Sequence, residues 1–115
     1  MDITDSSPQR TEVAIEQFLA GGLLEYEGVR FSRHGGRTLD VSCFSSWAPE
    51  LSTPTQAMVE IDRAKSVLDQ LASRNASFRV AIEVLPREFH FCYNYGNGSI
   101  TLAKEVNGRF EWCQQ

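Results

Sequence analysis

The segment TPTQAMVEIDRAKSVLDQLASRN, residues 53–75, restricts the fold more than any other part of this chain. Ala57, Ile61, Ala64, Leu68 and Leu71 fall in one narrow stripe at helical spacing, and Arg63, Ser66, Gln70 and Ser73 fall opposite. A helix with so narrow an apolar face needs one covering surface, and a sheet supplies it. Its start is marked by Thr53 and Gln56 at capping-box spacing with Pro54 at the first helical position, and it closes near Asn75. The predicted helix covers 54–74.

The sheet is legible in period-two patterns. Val29 and Phe31 alternate with Arg30 and Ser32; beyond Gly35-Gly36, Leu39, Val41 and Cys43 alternate with Thr38, Asp40 and Ser42, which predicts a hairpin with one buried face. In EFHFCYNY, Phe89, Phe91, Tyr93 and Tyr95 alternate with Glu88, His90, Cys92 and Asn94. Gly96-Asn97-Gly98 gives a tight connection, Ile100 and Leu102 continue the alternation, and Asn107-Gly108 predicts a second hairpin leading to Phe110 and Trp112. A three-stranded antiparallel meander results.

A shorter helix over 8–20 is expected from Ser7-Pro8 as its start, Val13, Ala14, Phe18 and Leu19 at helical spacing, and Gly21-Gly22 as its end. Residues 1–6 read as a frayed terminus, and Trp47 in the loop SSWAPELS reads as a plug at the core's edge. Residues 77–85 are ambiguous. Phe78, Val80, Ile82 and Val84 alternate as a strand would, whereas Phe78, Ala81, Ile82 and Leu85 make one face of a short helix; β-branched content favours the strand. The expectation is a single α+β domain over 1–115, with a mostly antiparallel sheet of five or six strands and one long and one short helix packed on one face.

Charge and cysteine usage narrow the function classes. A net charge of −4 opposes a positive field, and with it non-specific binding to nucleic acid or anionic membranes. No apolar run is long enough to span a bilayer, and the N-terminus lacks the basic-then-apolar order of a secretory signal. Cys43, Cys92 and Cys113 are widely spaced and odd in number, which reads as free thiols in a reducing, cytoplasmic compartment.

Chemistry-bearing motifs are scarce. YGNGSI has neither dinucleotide-loop spacing nor a phosphate-loop lysine, no G-x-S-x-G occurs, and His34 and His90 are the only histidines. A metal site built from His34, Asp40, Glu88 and His90 would need both hairpins side by side, and no ligand spacing favours it. Neither a catalytic residue nor a cofactor is assigned. The aromatic stretch resembles a base-stacking platform only in its alternation. Its basic companions are few (Arg87, Lys104 and Arg109), and the long helix needs these rings as its wall.

The opposite face of the sheet is then the candidate site. It is expected to carry Arg30, Asp40, Glu88, His90, Asn94, Glu105, Arg109 and Glu111, with Thr38 and Thr101 among them. Such a mixed, acid-leaning surface fits a small binding protein acting by protein–protein contact, either an inhibitor or immunity-type protein or a secretion chaperone for a basic partner. The competing expectation is an enzyme or small-ligand protein with a pocket around His90, Asp40, Tyr93 and Tyr95. A homodimer formed through a strand edge, at Trp47 or at the final strand ending in Cys113, is a third.

Overall fold

The computed structural model describes residues 8–35, 37–46 and 53–113. The Ser7 cap, the N-terminal residues 1–6 and the Trp47 plug lie outside the described residues. The elements run α1 (Pro8–Leu19), β1 (Leu24–Tyr26), β2 (Val29–His34), β3 (Thr38–Ser45), α2 (Pro54–Arg74), α3 (Ala76–Glu83), β4 (Arg87–Asn94), β5 (Ser99–Val106) and β6 (Arg109–Trp112). The six strands form one sheet in sequence order. All neighbours are antiparallel except β3 and β4 at the centre, which run parallel. A parallel pair needs a crossover, and α2 and α3 provide it.

α2 lies across β3, β4 and β5. Thr53 accepts a hydrogen bond from the Gln56 amide at 3.1 Å, as the capping spacing requires. Ala57, Ile61, Ala64, Val67, Leu68 and Leu71 are its buried residues. They meet Val41, Cys43, Phe89 and Phe91 from the sheet in one core that also takes in Phe18 of α1 and Phe78 of α3. The aromatics of EFHF are therefore the wall under the helix: Phe91 is fully buried and Phe89 nearly so.

Three features depart from the sequence reading. Residues 76–83 are a helix, not a strand. Asn75 accepts from the Phe78 amide at 2.9 Å and so starts α3 directly where α2 stops. Phe78 and Ile82, one turn apart, are buried, while Val80 and Val84 are 60% and 81% exposed. A strand would have placed all four on one face, and the crossover geometry overrides their β-branched preference. The second departure is β1, a three-residue strand joined to β2 by Glu27-Gly28, both with positive φ. The third lies in β5: a bulge opposite Phe91 and Cys92 leaves Leu102 without a partner on β4, so Leu102 and Ala103 are both buried and strict alternation fails there.

Arg33 ties α1 down. Its guanidinium donates to the Phe18 and Leu19 carbonyls at 3.2 and 3.3 Å and lies over the Phe18 ring at 5.0 Å. The last carbonyls of a helix lack partners within it, and a cation there also answers the negative end of the helix dipole.

Candidate functional site

Residues in register across paired strands share a face. One row crosses the whole sheet on the side away from the helices: Glu25, Arg30, Ser42, His90, Lys104 and Glu111. The neighbouring row carries Ser32, Asp40, Glu88, Val106 and Arg109. Seven of the eight residues expected on the open face are there, with Asn94 at the end of β4. Glu105 is the exception. It stands opposite Phe89, whose ring lies under the Lys65 ammonium at 5.6 Å, and forms an ion pair with Lys65 of α2 at 2.6 Å. Lys104, its neighbour, occupies the open face instead.

Some of the charges on this face are already paired. Arg30 pairs with Glu25 at 2.8 Å and sits 5.0 Å from the Phe44 ring centroid, and Lys104 pairs with Glu111 at 3.7 Å. These cations are satisfied within the sheet. At the centre, Asp40 and Glu88 stand side by side on the parallel strands β3 and β4. Like charges in register repel. Among the described residues the only basic group within ion-pair reach of either is His90, whose Nε2 lies 3.2 Å from Glu88 Oε1 and 3.6 Å from Asp40 Oδ1. Ser42 donates its hydroxyl to Asp40 Oδ1 at 3.3 Å. His90 is mostly covered, whereas Asp40 and Glu88 keep 26% and 39% of their side-chain surface in solvent. Two half-exposed carboxylates thus share one imidazole.

The hydrogen bonds of this cluster do not form a catalytic relay among the described residues. Ser42 donates its hydrogen bond to Asp40 and not to His90, so nucleophile, base and orienting acid do not line up. No cluster among the described residues could hold a metal ion. Tyr93 is in register with Ile100 and packs at the margin of the helical core, on the face opposite His90; Tyr95 stacks beside it with ring centroids 6.2 Å apart. The pocket expected around His90, Asp40, Tyr93 and Tyr95 is therefore split by the sheet. The side chain of His34 lies outside the described residues.

Two of the open cavities lie at the flanks of the sheet. One of about 400 Å³ lies at the β1–β2 turn, lined by Arg10, Glu25, Tyr26, Arg30 and Phe44. The other, about 440 Å³, lies on the helix side among Lys65, Asp69, Arg87, Phe89 and Glu105. Neither includes His90 or Asp40.

Burial sets the thiol chemistry. Cys43 donates to the His90 carbonyl at 3.3 Å, and its pKa is pushed up to about 12, first by desolvation and then by Glu60. The Cys92 thiol is also raised, again by burial. All three cysteines are free. Among the described residues no helix is long and apolar enough to cross a membrane.

Comparison with family models, with curated proteins and with solved structures finds no match.

Proposed function

We propose that this is a small binding protein that docks a basic protein partner on the open face of its sheet. The observation that supports the reading is the central Asp40–Glu88 pair. Among the described residues its two carboxylates share only a histidine, while Arg30 and Lys104 in the adjacent row already have anionic partners. A guanidinium or ammonium from a partner would relieve the repulsion between them and take up acceptor positions that His90 leaves open. The net charge of −4 would speed the encounter with a basic partner. An inhibitor or immunity-type protein and a secretion chaperone are the two forms this function takes most naturally, and the three free thiols fit a cytoplasmic setting.

The test is capture of a partner from the native host on the immobilised protein, followed by titration of the purified pair at rising salt. The reading expects an affinity that falls with ionic strength and drops about tenfold or more when Asp40 or Glu88 is reversed to Lys. An affinity indifferent to salt and to reversal at Asp40, Glu88 and Glu111 alike would remove it.

A further inference from the structure

We propose that β6 is a dimerisation edge, pairing antiparallel with β6 of a second copy of this chain about a two-fold axis at Phe110. Among the described residues β6 is an outer strand of the sheet and pairs with β5 alone. Asn107 and Gly108 both have positive φ, the two-residue turn that makes Val106 and Arg109 a hydrogen-bonded pair. Lys104 and Glu111 follow two residues on, and the Cys113 amide continues the same alternation by donating to the Leu102 carbonyl at 2.7 Å. Phe110 and Trp112 therefore turn their backbone N–H and C=O groups away from β5, toward the free edge.

Charge then selects one register. With the axis at Phe110, the two Phe110 residues form the central hydrogen-bonded pair. Arg109 falls opposite the partner's Glu111, and Glu111 opposite the partner's Arg109. These are non-hydrogen-bonded positions, where side chains approach most closely. Arg109 is exposed and makes no ion pair among the described residues, so the contact supplies its missing anion. On the helix side, the half-buried Phe110 meets its own copy and Trp112 falls opposite the partner's Gly108, where even a Cβ would meet nothing within 4 Å. Moving the axis to Glu111 sets Glu111 against Glu111, and moving it to Trp112 leaves Arg109 unmatched. A register centred between two residues sets outward backbone groups against inward ones. The other edge is a poorer candidate: β1 has three residues, α1 packs on it, and Glu25 is its only charge.

Sedimentation velocity from micromolar to millimolar protein tests the proposal. A concentration-dependent dimer is expected. Arg109→Glu and Glu111→Arg should each weaken association about tenfold, because each turns two attractive pairs into repulsive ones. The double variant Arg109→Glu/Glu111→Arg should recover to within about threefold of the parent, since complementarity is restored. Phe110→Pro should abolish the dimer with an unchanged far-ultraviolet circular dichroism spectrum, because the amide it removes does not serve the β5–β6 ladder. A monomer at every concentration overturns the proposal. So does a dimer that survives Phe110→Pro, or a double variant no better than either single one.

Discussion

Cys43 sits between the sheet and α2, with its thiol directed at the His90 and Glu60 carbonyls. Its raised pKa means the folded protein holds a proton that the unfolded chain gives up near the ordinary thiol value of 9.0. Stability from this group is full below pH 9 and is lost as pH climbs toward 12. Thiol labelling at pH 8 should modify the half-buried Cys113 in the native state and Cys43 only on unfolding. The alkaline loss of stability should flatten in Cys43→Ala. Glu105 makes a different point. Alternation counted through β5 assigns it to the open face because nothing in SITLAKEV announces the bulge at Leu102. Once Leu102 drops out of register, Glu105 turns to the helix side and meets Lys65. Glu105→Lys should therefore lower stability by about 1–2 kcal/mol in urea titration, since Glu105 is largely covered and the reversal sets two cations together, while partner affinity stays the same. Arg30, Asp40, Glu88 and His90 were legible because they precede that irregularity.

At the scale of elements, the strongest signals were those with a cap or turn at the end. Thr53-Pro54 fixed the start of α2, and Asn107-Gly108 fixed the β5–β6 hairpin. The segment after Asn75 misled because its pattern suits either period. What decides it is Asn75 itself, which closes α2 by donating its amide to the Leu71 carbonyl and opens α3 with its side chain. Asn75→Ala should cost about 1 kcal/mol of stability and Asn75→Gly a few tenths, read as shifts in the urea midpoint. β1 escaped notice for a related reason. Three residues are too few to display a period, and Glu27-Gly28 is a weaker turn signal than Asn-Gly. It is held from outside its own sequence, by Arg63 of α2 donating to the Glu27 carbonyl at 2.8 Å and Arg74 donating to the Tyr26 hydroxyl at 3.3 Å.

Taken as a whole, the three described helices lie on one face of the sheet, and the other face carries mostly polar side chains, with Phe44, Cys92 and Val106 among them. The helical face answers to packing, and the sequence shows it because apolar periodicity is a direct record of burial. The open face answers to cross-strand register, which depends on the parallel β3–β4 pairing and on the bulge. That is why the meeting of Asp40, Glu88 and His90 emerges only in three dimensions. A β6–β6 dimer would place both open faces on the same side of a continuous sheet, with the two His90 strands about 24 Å apart from five strand spacings. A partner with two basic segments could then engage both at once and gain avidity.

The central claim is that the Asp40–Glu88 pair binds a partner's cation. Its most direct test is calorimetric titration of the captured partner into the double variant Asp40→Asn/Glu88→Gln, which keeps shape and removes charge. Asp62→Lys, an exposed acid reversed on α2, serves as the control. The account predicts that the double variant loses about 3 kcal/mol of binding or more, as expected for two charge-assisted hydrogen bonds, and that the control binds as the parent does. Parent-like affinity in the double variant, or loss in the Asp62→Lys control alone, would contradict it.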